Sequence, residues 1–350
     1  TGLPEPGPIR SVGGAFADGT ASATPELRAE GVRAVIAAAD EAGVTAFGSF
    51  ATSVETVAVA NSRGIRAAEA RTASQLITVS MGPEDGTGYA EATAVDATTI
   101  DAAALGREAA ETARRSGRPV VLEPGDYPVV LAEYAVVDIL DMLGYLGFSA
   151  LAVEEGRSFF EPGRRVGSEL VTIRDDAGDP AGLPASFDYE GVGCEPVTLV
   201  EAGVCRDVVW DSATAARAGR RSSGHGLPAP NPYGPFPIHA QMSAGTTPRA
   251  DLVQGLKRGL YVTRFHYTNP VHPKLAVITG MTRDGTFLVE DGEIVGPVRN
   301  LRYTMSYLDA LAGVEAVGSE RRLLKGFVGA ALVPAVRLGS WRFTGTTGSD

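Results

Sequence analysis

The spacing of apolar residues changes along this chain, and that change limits the possible folds more than any other feature. Helical patterns come early: residues 24–42 begin with Thr24-Pro25-Glu26, and residues 102–115 follow the capping residue Asp101. Residues 44–94 alternate as strands do, and the half beyond Gly167 is rich in strand-type segments. The sequence therefore predicts an α+β fold, with an N-terminal helix/sheet portion followed by a β-rich, barrel-like C-terminal domain.

The individual segments give a domain division. We expect a linker or tail over 1–23, an α/β N-terminal portion over 24–125, and a helix plus the β-rich C-terminal domain over 126–350. A third helix is predicted over 128–146, a loop over 222–237, and a hairpin turn at Asp291-Gly292. Strands are predicted at residues 47–50, 54–60, 75–80, 119–122, 170–173, 197–200, 208–210, 259–267, 276–279 and 286–289.

Charge and composition exclude several classes of function. The chain carries 31 basic and 42 acidic side chains, a net charge of −11, which disfavours nucleic-acid binding. Its most apolar stretch, residues 127–153, contains three carboxylates and so predicts protein core and no membrane span. No signal peptide is visible, and the two cysteines are too few for a disulfide framework. We therefore expect a cytoplasmic protein with reduced thiols.

Two sets of polar residues are candidates for a site. Strand alternation places Arg264 and His266 on one face, opposite Phe265 and Tyr267, where the Arg-His pair can bind a carboxylate or simply hydrogen-bond at a surface. The four histidines include no pair four residues apart on a helix, so no local zinc motif is present.

Glu133 lies on an apolar helix and is either solvent-facing or buried with a raised pKa. Asp138 and Asp141 share a neighbouring stripe of that helix and are expected to face solvent.

Several separated blocks resemble the TldD/PmbA family of metallopeptidase-like proteins. They are VAVANSRG (57–64), SELVTIRDD (168–176), GLYVTRFHYTNPVHP (259–273), GMTRDGTFLVEDGEI (280–294) and GPVRNLRY (296–303). The blocks run in family order and cover nearly the whole chain, and we expect only the first N-terminal portion of the family to be missing.

The resemblance implies a zinc site whose ligands are lost here. Active members carry H-E-x-x-x-H on a helix and a cysteine near the C-terminus. Residues 132–137 fall on that motif, so Glu133 is retained while Ala132 and Val137 replace the histidines, and the cysteine position falls near Gly326. Methyl groups cannot coordinate zinc, so we expect neither a metal nor another cofactor.

The resemblance leaves two main functions open. In one, the chain is a TldE-like non-catalytic subunit that pairs with a TldD-like subunit, or with itself, in a peptidase for small or unfolded peptides. In the other, it is a metal-independent amide-forming or acyl-transfer enzyme of actinobacterial natural-product biosynthesis. A purely structural role is a third possibility. The candidate catalytic residues are Glu133, His239 and His266, with Cys194 and Cys205 as further donors, and the candidate residues for binding a peptide or acyl substrate are Tyr134, Arg264, Tyr267 and His272.

Overall fold

The N-terminal half is a three-stranded antiparallel sheet with two long helices and one short helix packed against it. The computed structural model describes residues 3–347 of the chain. Strands β1 (Thr45–Ala60), β2 (Arg66–Met81) and β3 (Thr87–Ala94) pair in that order. The accompanying helices are α1 (Asp18–Ala21), α2 (Pro25–Glu41) and α3 (Ala102–Arg115).

Side-chain caps fix where the two long helices of this half begin. Thr24 Oγ1 accepts a hydrogen bond from the Leu27 amide at the start of α2, and the Asp101 carboxylate accepts one from the Ala104 amide at the start of α3. The buried face of α3 consists of small residues such as Ala109 and Ala113, so the helix can approach β3 closely. Both predicted helix starts are confirmed.

The C-terminal half is a mixed sheet of eleven strands. They are β4 (Gly125–Leu131), β5 (Ile173–Asp175), β6 (Val197–Glu201), β7 (Val204–Cys205), β8 (Ala240–Met242), β9 (Arg258–His272), β10 (Val277–Glu290), β11 (Glu293–Pro297), β12 (Leu301–Ser306), β13 (Val314–Lys325) and β14 (Ala330–Thr346). The helices of this half are α4 (Glu133–Leu146), α5 (Ala150–Glu154), α6 (Ser212–Arg217), α7 (Arg249–Gln254) and α8 (Tyr307–Ala312).

One strand closes part of this sheet on itself. The order runs β11-β10-β9-β4-β14-β8-β5-β6-β7, and β12 pairs with both β10 and β14. Strands β10, β9, β4, β14 and β12 therefore form a five-stranded ring, and β13 pairs with β14 outside it. The α+β class and the barrel-like C-terminal part are both confirmed.

An aromatic cluster and helix α4 make up much of the main core. Phe265 stacks on Trp341 with ring centroids 4.8 Å apart, and Tyr303 meets the same indole edge-on at 5.1 Å. Helix α4 packs against β9 and β14 and buries Ile139 and Leu143 within the same core. The helix that carries Glu133 is thus a core element of the C-terminal half.

Four sequence predictions need correction. Residues 128–131 are strand and not helix, because the β-branched pair Val129-Val130 joins β4 in parallel pairing with β9. Residues 119–122 are not a buried strand, since Val120 is 57% exposed and forms a single bridge to Val298. Around 170–173 the strand begins only at Ile173, and within 208–210 only Val209 forms a bridge. Short apolar runs alone do not distinguish strand from packed loop.

The hairpin turn and the proline-rich loop are confirmed. Asp291 and Gly292 have φ values of 48° and 80° and connect β10 to β11, as a two-residue turn with two positive φ angles requires. Residues 222–237 contain neither helix nor strand. Among residues 3–347, no helix combines the length and apolarity needed to cross a membrane.

Gly88 tests the close approach of α3 to β3. A Cβ atom at Gly88 would lie 2.0 Å from the Ala109 carbonyl oxygen and 2.6 Å from the Ala113 nitrogen, whereas a Cβ at Gly296 would meet nothing within 4 Å. Gly88→Ala is therefore expected to lower the free energy of unfolding by about 1–3 kcal/mol, with Gly296→Ala as the near-neutral control. Urea unfolding measures both, and equal midpoints for the two variants would contradict this packing.

Candidate functional site

Glu133 opens helix α4 and is buried. Only 1% of the residue is exposed, and its Oε2 lies 3.0 Å from Nη2 of Arg249 on α7. This contact is an ion pair without hydrogen-bond geometry, and Oε2 accepts no hydrogen bond from any of residues 3–347. Arg249 also donates a hydrogen bond to the Tyr261 hydroxyl. Of the two sequence alternatives, the structure selects burial, with an arginine as the partner.

Tyr134 ties α4 to the N-terminal half. Its hydroxyl accepts a hydrogen bond from Arg322 Nη1 at 2.6 Å and donates one to Glu108 Oε1 at 3.1 Å. The same Arg322 nitrogen lies 2.9 Å from both oxygens of Glu108. Burial, followed by the negative charge of Glu108, raises the pKa of Tyr134, so the phenol stays protonated. Helices α3 and α4 and strand β13 therefore meet at one polar cluster.

Glu91 on β3 extends this cluster. Its carboxylate accepts hydrogen bonds from the Tyr89 hydroxyl at 2.5 Å, from Gln75 at 3.0 Å and from the Lys325 backbone amide at 2.7 Å. The Tyr89 ring meets the Tyr134 ring edge-on and lies 4.2 Å from the guanidinium carbon of Arg264. The Lys325 contact links β3 to the turn between β13 and β14.

Asp138 and Asp141 do not face solvent, contrary to the sequence expectation. Asp138 accepts hydrogen bonds of 2.7 Å from both Thr268 and Tyr307, and Asp141 accepts one of 2.8 Å from the Phe327 amide. Burial raises the pKa of Asp138 to about 6, although its two hydrogen bonds act in the opposite direction. Burial, and then the charges of Asp138 and Glu91, raise the pKa of Asp141 to about 7 against the hydrogen bond from Phe327.

The β13–β14 turn covers the side of α4 that carries Asp141. A Cβ atom at Gly326 would lie 2.7 Å from Asp141 Oδ1, so the turn backbone touches this carboxylate directly. Phe327, the next residue, is 75% exposed. Position 326 therefore lies beside Asp141 on the third turn of α4, one helical turn beyond Val137.

Arg264 and His266 have different surroundings. Arg264 Nε donates to Asp284 Oδ2 at 2.6 Å, and this ion pair is mostly buried. Partial burial and the positive charges of Arg283 and Arg264 lower the pKa of His266. The predicted alternation fails at Tyr267, which has a φ of 53° and is 69% exposed, whereas Phe265 is buried.

The remaining candidates lie apart from one another. His272 follows Tyr267 near the end of the β9–β10 hairpin and is exposed. His239 lines a separate cavity between the two sheets. The structure thus joins Tyr134 and Arg264 through Tyr89, and it places Glu133, His239, His266 and His272 in different surroundings.

Both cysteines are free thiols with low nucleophilicity. Burial is the main cause that raises the pKa of Cys194 and of Cys205. The thiolate is the nucleophilic form of cysteine, so neither residue is activated.

Sequence reasoning missed Glu91, Glu108 and Arg322. Glu108 and Arg322 are 214 residues apart in the chain, and no local motif connects them. Helix α3 also carries Arg107, Glu111, Arg114 and Arg115, so no local signal distinguishes Glu108 from the other charged residues.

Comparisons with known proteins agree with this architecture. The family model described as the PmbA/TldA metallopeptidase central domain matches residues 20–116, and the model of the C-terminal domain of the same family matches residues 124–345. The chain therefore belongs to the PmbA/TldD family of metallopeptidase-related proteins.

Individual relatives are more distant. A metalloprotease of Methanothermobacter thermautotrophicus is 29% identical over 232 residues, which cover 64% of this chain and 50% of that protein. A zinc metalloprotease TldD homologue of Saccharolobus solfataricus is 25% identical over 58% of this chain and 46% of its own length. The chain thus spans about half the length of these curated relatives. The crystal structure of TldE from Thermococcus kodakarensis matches 99% of this chain and 80% of its own, with a TM-score of 0.88 at 20% identity, a likeness of fold.

The zinc ion of the family's peptidases does not fit the residues present here. Ala132 and Val137 offer only methyl groups at the two histidine positions, and the chain has no cysteine after Cys205 that could supply the ligand expected near Gly326. The retained Glu133 is paired with Arg249. Within the described residues, no three His, Cys, Asp or Glu side chains cluster closely enough to hold a metal.

The raised pKa of Asp141 predicts a pH dependence of stability. The folded state binds its proton more tightly than the unfolded chain, where an aspartate titrates near 4, so this contribution is fully present below about pH 4 and is lost as pH rises through about 7. The free energy of unfolding of the wild type is expected to fall as pH rises from 4 to 8. Asp141→Asn is expected to make this fall smaller by about 1–2 kcal/mol, a figure that allows for partial exposure of the carboxyl group.

Chemical unfolding at pH 4.5 and pH 8 measures this difference. Asp40→Asn, on the exposed face of α2, is the matched control and is expected to keep the wild-type pH profile. If Asp141→Asn also keeps that profile, then Asp141 is not protonated in the folded protein at neutral pH.

Proposed function

We propose that this chain is a TldE-like, metal-free subunit that pairs with a metal-bearing TldD-like subunit. The pair acts as a cytoplasmic peptidase on small or unfolded peptides. We further propose that the chain divides as its sequence predicts, with a linker or tail over 1–23, an N-terminal portion over 24–125 and a C-terminal domain over 126–350.

The donor set at α4 is the observation that carries this proposal. A zinc peptidase needs three protein ligands and an open position for the water that attacks the peptide bond. The matching positions are Ala132, Val137 and Gly326, which supply no ligand atoms from their side chains. The peptidase chemistry of the pair therefore resides in the other subunit.

The state of Glu133 supports the same conclusion. In a metal-dependent peptidase the corresponding glutamate acts as a general base and must reach the attacking water. Here the Glu133 carboxylate is buried and faces Arg249 at 3.0 Å. A buried carboxylate that is paired with an arginine is a structural group that fixes the start of α4 relative to α7.

The acyl-transfer alternative has weaker support. It requires an activated nucleophile or base at one pocket, yet both thiols have raised pKa values. Glu133, His239 and His266 also lie in three different surroundings, as described above. The likeness of fold to the Thermococcus TldE supports the subunit role.

Reconstitution with a zinc-bearing TldD-like protein from the same organism tests the proposal. The tagged chain is expected to copurify with that protein, and only the mixture is expected to cleave unfolded peptides. Glu133→Gln should leave complex formation and cleavage within about twofold of wild type, because Glu133 contacts Arg249 and takes no part in the reaction. The charge lost beside Arg249 is expected to lower the stability of this chain alone.

The matched variant changes the corresponding glutamate of the partner's H-E-x-x-x-H motif to glutamine and is expected to abolish cleavage. Peptide cleavage by this chain alone, or its loss in Glu133→Gln with the complex intact, would contradict the non-catalytic role.

A further inference from the structure

A cavity lies at the junction of the two sheets, apart from the polar cluster around Tyr134. Its volume is about 160 Å³. Strands β1 and β2 form one wall, and residues 183–185, Tyr189, 238–239 and 329–330 form the others. Its polar lining residues are Ser53, Glu55, Arg71, Thr72, Tyr189 and His239. Neither the family's metal-site positions nor the acidic residues of α4 contribute to it.

His239 supplies an unused hydrogen-bonding atom at this cavity. Its backbone amide donates to Asp175 Oδ2 at 2.8 Å, and Asp175 Oδ1 lies 3.0 Å from His225 Nε2. These contacts fix the main chain at His239. The Nε2 atom of His239 is buried and has no partner within residues 3–347. Burial is the main cause that lowers the pKa of this imidazole, which is therefore neutral at pH 7. Buried polar atoms without partners are rare and usually mark a place for a missing ligand or water.

Arg71 supplies a positive charge whose position is fixed by hydrogen bonds. Its Nε donates to Glu69 at 2.7 Å and its Nη2 donates to the Phe187 carbonyl at 2.6 Å, while the guanidinium lies over the Phe187 ring. These contacts orient the side chain and leave Nη1 without a partner in the described structure. A guanidinium fixed in this way is suited to bind a carboxylate.

Glu55 supplies the opposite charge on the same wall. Glu55 lies on β1 and is exposed. Partial burial is the main cause that raises the pKa of Tyr189, and the nearby charge of Glu55 is the second. The cavity therefore presents a cation, an anion and a neutral imidazole within the space of one small molecule. Its volume is close to that of an engineered cavity of about 150 Å³ that binds benzene.

We propose that this cavity, formed by Arg71, His239 and Glu55, binds a small zwitterion of the size of a free amino acid. The carboxylate of the ligand lies toward Arg71. Its ammonium group lies toward Glu55 and the Nε2 lone pair of His239, because the other ring nitrogen of His239 donates to the Leu183 carbonyl. Amino acids with small side chains fit, whereas tryptophan exceeds the space. This site is independent of the proposed peptidase role and does not require a partner subunit.

Histidine NMR of the full chain provides the test. The chain has only four histidines, so the imidazole signals of isotope-labelled protein can be assigned by single substitutions, with His239→Gln identifying its own signal. Titration with L-alanine is expected to shift the His239 signal saturably in the range of about 1 mM, and to leave the signal of the exposed His272 unchanged. Acetate or ethylamine alone, or L-tryptophan, is expected to leave the His239 signal unchanged at the same concentration.

Two variants separate the proposed contacts from a general effect on folding. Glu55→Gln is an exposed and isosteric change, and it is expected to weaken L-alanine binding about tenfold by removing the anion that faces the ammonium group. His272→Gln is the matched control and should bind as the wild type does. A His239 signal that does not respond to L-alanine at about 50 mM would overturn the proposal. So would an equal response to acetate alone, or an unchanged affinity in Glu55→Gln.

Discussion

The contact of Tyr134 with Glu108 and Arg322 holds the two halves of this protein together. It joins α3 of the N-terminal half to α4 and β13 of the C-terminal half, with Arg322 2.6 Å from the phenol and 2.9 Å from the carboxylate. The ion pair is half-buried, and both of its members bind the Tyr134 hydroxyl, so loss of one member would leave partly solvated polar groups at a cost of about 1 kcal/mol or less each. Glu91 adds a second link, because it binds the Lys325 amide across the same junction. The position of α4 follows from these contacts.

Helix α4 is held in this way without zinc-ligand side chains at the positions that match the family's motif. Ala132 directly precedes α4 and Val137 lies on it, at the two positions that match the family's histidines, and Glu133 is paired with Arg249. The acidic side chains further along the helix, Asp138 and Asp141, face protein and have raised pKa values. The site is therefore acidic and protonatable, and its shape is maintained by hydrogen bonds from Tyr307 and the Phe327 amide.

Local patterns predicted the fold better than the site. The caps at Thr24 and Asp101 and the turn at Asp291-Gly292 depend on residues within one turn of each other, so sequence reasoning identified them. The predicted start of α4 is wrong because the β-branched residues of β4 come just before the helix, and the apolar run continues from strand to helix without a polar residue between them.

The surroundings of the polar side chains could not be predicted in the same way. Asp138 was assigned to solvent because helical spacing cannot reveal Tyr307, which is 169 residues away in sequence yet donates to its carboxylate. Arg249 is likewise remote from Glu133 in the chain, and its position depends on how α7 packs. The loss of the zinc ligands was inferred from the family resemblance, residue by residue, and no periodicity indicates it.

Elemental analysis of the purified chain, prepared without chelators, tests the central claim that the α4 site has lost its metal. The protein is expected to contain less than about 0.1 equivalent of zinc after dialysis against excess zinc and removal of the free ion. A TldD-like relative with its motif intact, treated in parallel, should retain about one equivalent. Retention of about one equivalent by this chain would contradict the account, because donor atoms other than side chains at positions 132, 137 and 326 would then hold the ion.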